Sequence, residues 1–188
     1  MRVVGELRDG APLIVVAVEE EAVAFATGVS YLCTGPGKVA AAVATSWALS
    51  QVRPSVVVNI GTAGALHEHL EGLHEIASVA QHDLDVEALE AITGRSFERV
   101  IDLGRPGLRL VTGDVFVADA GVRDALAAAA DLVDMEGYAV AAAARQHGVE
   151  VRLVKYVSDT ADETAALDWP RQTRLATVHL AQWLARSL

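Results

Sequence analysis

The chain has 188 residues, 52% of them hydrophobic, and its 25 acidic against 15 basic residues give a formal net charge of −10. That length suits one domain with a sizeable core, and that hydrophobic share excludes an intrinsically disordered chain. The charge balance argues against a nucleic-acid groove, which needs clustered Lys and Arg, and against general attraction to anionic lipid.

Met1 to Gly10 carries Arg2, Glu6, Arg8 and Asp9 and has no apolar signal core. No segment has membrane-span length without a charge or Gly. Cys33 is the single cysteine, so no internal disulfide can form, and it reads as a small buried hydrophobe. A cytoplasmic protein is expected.

Leu13 to Val18 reads as a strand apolar on both faces, and Glu19 to Ala26 as a short helix carrying the acidic run Glu19-Glu20-Glu21. A weaker strand follows at Ser30 to Thr34. Gly35-Pro36-Gly37 breaks the chain before a helix from Lys38 to Leu49, where Val39, Val43 and Trp47 recur on one face at i, i+4 and i+8. Ser55 to Ile60 is the clearest strand, and Gly61-Thr62-Ala63-Gly64 reads as a tight loop after it. Further strands are expected at Ile76 to Ala80, Arg99 to Leu103, Leu108 to Thr112 and Val151 to Val157. Helices are expected at Asp119 to Ala130, at Glu136 to His147 with Gly148 as its stop, and from Asp168-Trp169-Pro170 to Leu188. On the last helix Ala176, Leu180, Trp183 and Leu184 form the apolar side. Strands alternating with helices predict an α/β fold: a three-layer α/β/α sandwich with a mixed, largely parallel central sheet, as a single domain over residues 1–188.

Gly35-Pro36-Gly37-Lys38-Val39-Ala40 fits the dinucleotide-binding pattern, but the acidic residue that should hold a ribose about twenty positions on is replaced by Asn59. A helix N-terminus facing an anion or polar ligand is the alternative. The histidines lack metal-ligand spacing on rigid elements, so no metal and no organic cofactor is expected. Glu136 and Asp159 stand at opposite ends of one helix–strand unit, and acids at several strand ends can converge on one crevice. Singly, each acid also fits a helix-end or turn role.

Six segments in order resemble the nucleoside phosphorylase/nucleosidase superfamily, with the methylthioadenosine/S-adenosylhomocysteine nucleosidases as the best match. They are Val18-Glu19-Glu20-Glu21, Gly35 to Ala41, Val58 to Gly64, Thr112 to Val117, Asp134-Met135-Glu136 and Val157 to Asp162. The resemblance runs from about Leu13 to Asp162, and the chain is short between His82 and Leu108. It implies that Asp159 protonates purine N7, oriented by Ser158, and that Glu21 activates water. It implies that Glu136 binds ribose hydroxyls while Met135 packs on the sugar and Thr62 lines the ribose end. Phe116 is expected to stack on the purine and the Val117 backbone to pair with the base edge. A homodimer, and a small-molecule purine nucleoside of methionine salvage as substrate, are implied in the same way.

Breaking an N-glycosidic bond needs a carboxylic acid for the departing base and a carboxylate for water. In inverting glycosidases the two stand roughly 6.5–9.5 Å apart. Where the phosphorylase branch carries arginines, this chain has Asn59 and Glu19-Glu20-Glu21, which suits water over phosphate. Phosphorolysis, a non-catalytic nucleoside-binding module and a dinucleotide-binding domain are the competing readings.

Overall fold

The computed structural model describes the backbone of residues 1–188 and every side chain except those of Asp168 and Pro170. The strands are β1 (Arg2–Val4), β2 (Leu13–Val16), β3 (Tyr31–Cys33), β4 (Val57–Ala65), β5 (Leu73–Gln81), β6 (Val100–Asp102), β7 (Leu108–Thr112), β8 (Leu132–Asp134) and β9 (Val151–Asp159). The helices are α1 (Lys38–Gln51), α2 (Val86–Thr93), α3 (Ala120–Ala127), α4 (Gly137–Gln146) and α5 (Ala165–Ser187), with a 3₁₀ turn at Glu19–Ala22.

All nine strands join one mixed sheet. β2 runs parallel to β3 and β4, and β4 runs parallel to β9 over most of its length. β5 pairs antiparallel with β9 and parallel with β7, β7 pairs parallel with β8, and β8 pairs antiparallel with the end of β4. The path β4–β8–β7–β5–β9 therefore returns to β4, curling this half of the sheet into a ring.

The apolar run of β2 is buried on both faces because alternate residues serve two layers. Leu13 and Val15 pack with α1 and α4, whereas Ile14 and Val16 pack with Ala176, Leu180 and Leu184 of α5. The expected three-layer α/β/α arrangement is found.

Several boundaries differ from expectation. The acidic run occupies a single 3₁₀ turn and not a helix to Ala26. Gly61 to Gly64 is part of the second half of β4, paired with β9 throughout and at Gly64 also with β8, and neighbouring side chains fill the space its small residues leave. β1, β8 and α2, all short, carry too few residues for a clear periodicity. The last helix begins at Ala165, ahead of the Asp168-Trp169-Pro170 start; the side chains of Asp168 and Pro170 lie outside the described residues. α4 stops where expected, with Gly148 at φ 69° in the left-handed region.

The face of α1 is the largest correction. Val39, Val43 and Trp47 are 74%, 64% and 40% exposed, and the helix buries Ala41, Ala44, Thr45, Ala48 and Leu49. Small side chains let α1 lie close against the alanine face of α4, so bulk marks the outward face here. Cys33 is only half-buried, with its thiol donating to the Ala17 carbonyl at 3.4 Å.

Candidate active site

A cavity of about 410 Å³, within the range of small-molecule sites, opens where β2, β4 and β9 reach their carboxyl ends. Its lining includes Glu21, Thr62, Phe116, Val117, Met135, Glu136, Ser158 and Asp159, so the structure brings all eight sequence-selected residues to one place. It also includes Asp134 and Trp169, which the sequence reading did not assign to the site. Among the described lining residues there is no Arg, Lys or His.

The 3₁₀ turn separates the three acids. Glu19 pairs with Arg2 at the surface, Glu20 is exposed, and Glu21 turns inward with 4% of its surface accessible. Its Oε2 accepts the Ala17 N–H at 3.0 Å, and its Oε1 accepts the Thr62 N–H at 2.8 Å and the Thr62 hydroxyl at 3.1 Å. Burial raises its pKa against the opposing pull of Lys155 and these N–H groups.

Asp159 ends β9. Its Oδ2 accepts the Ser158 hydroxyl at 2.7 Å and its Oδ1 accepts the Ala161 N–H at 3.0 Å. Ala161 is buried with φ 49°, a left-handed conformation that costs an L-residue about 1–2 kcal/mol. The turn behind the acid is thus held by its surroundings.

The glycines of β4 make room for these acids. A Cβ on Gly61 would stand 2.6 Å from Glu21 Oε1, and one on Gly64 would stand 3.0 Å from Asp159 Oδ1. The two positions are three residues apart on β4, and the strand breaks register between Ala63 and Gly64. The small residues of this segment thus admit two carboxylates against the strand.

Beneath the cavity lies a buried charge cluster. The Lys155 ammonium, on a residue 1% exposed, sits 2.7 Å from Asp134 Oδ2 and donates to Asn59 Oδ1 at 2.8 Å. Asp134 also accepts the Thr112 hydroxyl at 2.6 Å and the Gly137 N–H at 2.8 Å, which seats the start of α4. Burial works against the charge on Lys155, but Asp134, Glu136 and Glu21 together hold its pKa above the usual lysine range. A lysine in the middle of the apolar run Val151 to Val157 was the sequence signal for this cluster, since a buried charge requires a partner.

Glu136 stands 7% exposed between two helix starts, with its Oε1 accepting the Gly37 N–H at 2.8 Å. The next N–H, of Lys38, goes to Asp114 Oδ1 at 2.7 Å. The N–H groups of Gly37 and Lys38, at the start of α1, are therefore taken by the chain's own carboxylates, which fill the place a dinucleotide phosphate would need. Burial, with Asp134 adding to it, raises Glu136 to about 8 despite Lys155 and the Gly37 N–H. Among the described residues no group of three or more His, Cys, Asp or Glu is placed to hold a metal ion.

Replacing Lys155 with Met leaves Asp134 buried without its counter-ion and is expected to destabilise the fold by about 3–5 kcal/mol in urea unfolding. The double variant Lys155→Met/Asp134→Asn should recover part of that loss. Glu136 gives a pH signature. Its pKa is higher folded than unfolded, so its contribution is complete below about pH 4.5 and fades as pH rises through 8. Stability measured between pH 5 and 8.5 should fall less steeply in Glu136→Gln than in wild type.

Residues 22–86 and 98–188 match the model of the phosphorylase superfamily, and the unmatched stretch between them covers most of α2 and the loop after it. A 5'-methylthioadenosine/S-adenosylhomocysteine nucleosidase of Bacillus velezensis is 30% identical over 173 residues, covering 79% of this chain and 75% of the relative. The protein of the same name from Bacillus subtilis is 29% identical, covering 81% and 77%. Among solved structures, futalosine hydrolase of Helicobacter pylori superposes with a TM-score of 0.80 at 20% identity, covering 94% of this chain and 97% of that one. The 5'-methylthioadenosine/S-adenosylhomocysteine nucleosidase of Neisseria meningitidis, in complex with methylthio-immucillin-A, gives 0.78 at 24% identity, covering 93% and 96%. With most of its length matched in sequence and its fold shared, the chain belongs to the phosphorylase superfamily.

Proposed function

We propose that this single domain is a purine nucleosidase, an N-glycosyl hydrolase that cleaves an adenine nucleoside of the methylthioadenosine/S-adenosylhomocysteine type. The observation that carries this reading is the pair Glu21 and Asp159, seated over Gly61 and Gly64 on one cavity whose described lining holds no cation. The names of the curated relatives support it.

In the proposed reaction Phe116 stacks on the purine, the Val117 backbone pairs with its edge, and Glu136 binds ribose hydroxyls with Met135 against the sugar. Protonated Asp159 donates to N7 as the bond from C1′ to the base breaks and its electron pair passes to the purine. Ser158 has one hydroxyl proton and two acceptors, Asp159 Oδ2 at 2.7 Å and the Ala63 carbonyl at 3.4 Å, so it can turn as Asp159 changes protonation. Glu21 takes a proton from the water that bonds to C1′. Free base and ribose moiety leave, and the proton on Glu21 returns to Asp159 through solvent.

Phosphorolysis would need a cation beside the sugar to hold a phosphate dianion, and the described lining of the cavity offers acids and no Arg, Lys or His. Lys155 does not line the cavity and is already committed to Asp134 and Asn59. Water suits this electrostatic setting better.

The exposed stripe Val39, Val43 and Trp47 supports a homodimer, with a second copy covering α1. Val115 and Phe116, which line the cavity, are also 67% and 42% exposed. A cytoplasmic setting agrees with the lone cysteine. No helix among the described residues is long and apolar enough to cross a membrane.

Two experiments test these readings. Methylthioadenosine, adenosylhomocysteine and inosine are incubated with and without phosphate and the free base is measured. Release of adenine in phosphate-free buffer is expected, with kcat down about 10²–10⁴-fold in both Asp159→Asn and Glu21→Gln; strict phosphate dependence, or unimpaired variants, would refute the hydrolase. Sedimentation velocity is expected to show a dimer that Val43→Glu dissociates, and a monomeric wild type would remove the dimer.

A further inference from the structure

The last helix touches Glu21 by two routes. Thr177 of α5 donates its hydroxyl to the Glu21 carbonyl at 3.0 Å and accepts the Ala24 N–H at 3.0 Å, fixing the backbone of the acidic turn. Trp169, two helical turns earlier on the same face, reaches the side chain. Its indole N–H donates to Thr62 Oγ1 at 3.1 Å, and Thr62 Oγ1 lies 3.1 Å from Glu21 Oε1. Thr173, midway along this row, bonds back to the Trp169 carbonyl at 2.7 Å.

The proton inventory gives this chain a direction. An indole nitrogen only donates, so the Thr62 oxygen must accept from it. The single hydroxyl proton of Thr62 is then left to point at Glu21. Without the indole, that hydroxyl rotor is free to turn its proton away from the carboxylate and to accept a proton from elsewhere.

We infer that Trp169 is a positioning residue for the general base: its indole N–H locks the Thr62 hydroxyl as a donor to Glu21, so that the seating of α5 sets the state of the carboxylate that receives the water proton. This rests on the nucleosidase reading for its catalytic consequence, but the hydrogen-bond chain itself does not. The charge from another element that acts on Glu21 is Lys155 on β9, which pulls its pKa down; Glu136 at the head of α4 and the Cys33 thiol on β3 are titratable groups that feel Glu21 in turn, both pushed toward their neutral forms. Trp169 acts on top of these, through a neutral donor.

The test has a kinetic and an optical arm. Trp169→Phe keeps an aromatic wall in the cavity and removes only the donor. It is expected to lower kcat about three- to ten-fold with KM unchanged. Losing a donor to the charged carboxylate favours its protonated form, so the acid limb of the kcat profile should move to higher pH. A double-mutant cycle with Thr62→Val should be strongly non-additive, because either change breaks the same chain. A role as cavity wall alone predicts a raised KM, an unmoved pH profile and additive effects, and would overturn the proposal.

For the optical arm, Trp47→Phe/Trp183→Phe leaves Trp169 as the one tryptophan of three. Its emission should titrate with pH in the absence of any substrate, and the titration should vanish in Glu21→Gln and in Thr62→Val. Emission that is flat with pH, or that still titrates in Glu21→Gln, sinks the inference. If the wild type releases no base from any nucleoside, the nucleosidase reading fails and the optical arm alone decides the hydrogen-bond chain.

Discussion

The buried ion pair between Lys155 and Asp134 is the constraint on which the site depends. Burying an ammonium group is costly unless its charge is matched and its protons are used, and here Asp134 and Asn59 supply both. The same Asp134 carboxylate takes the Thr112 hydroxyl and the first N–H of α4. One charge cluster therefore ties β4, β7, β8 and β9 to the head of a helix. Glu21 and Glu136 lie within reach of its field, so two further carboxylates can be buried close by. An apolar replacement could fill the volume, but it would leave those acids without a counter-charge.

Around that cluster the chain uses its smallest residues to bring its acids in. Gly61 and Gly64 leave hollows on β4 that Glu21 and Asp159 occupy, on either side of the strand's register shift at Ala63 and Gly64. The N–H groups of Gly37 and Lys38 fall to Glu136 and Asp114, so the anion at this helix start is built into the protein. These choices produce a cavity lined by acids, with no Arg, Lys or His among its described lining residues and with many hydrogen-bond partners already supplied by the protein. Such a cavity can move protons at either side of a sugar, but it offers little to a phosphate.

The last helix closes the arrangement from the other layer. Its apolar stripe through Ala176, Leu180 and Leu184 packs on β2, β4 and β9. Its polar row of Trp169, Thr173 and Thr177 meets the acidic turn and Thr62. Packing and hydrogen bonding thus come from different positions of one helix, which couples its seating to the electrostatics of Glu21.

Local pattern was enough for the layers and for the acids. The buried runs at Leu13 and Val57, the alternation with helices, and the six ordered motifs are short-range features, and they identify an α/β sandwich whose eight selected residues share one cavity. Long-range pairing decided the rest. The ring through β8, the inward turn of Glu21 rather than Glu19 or Glu20, and the partners of Lys155 and Trp169 all join residues distant in the chain. The outward stripe of α1 has the same origin: periodicity marks an apolar face, but only the close approach of the alanines of α4 decides which face is buried. Sequence by itself determined which chemical groups were present and in what order. Tertiary structure decided which became buried partners, because a charge or donor inside a protein takes its meaning from what folding places against it.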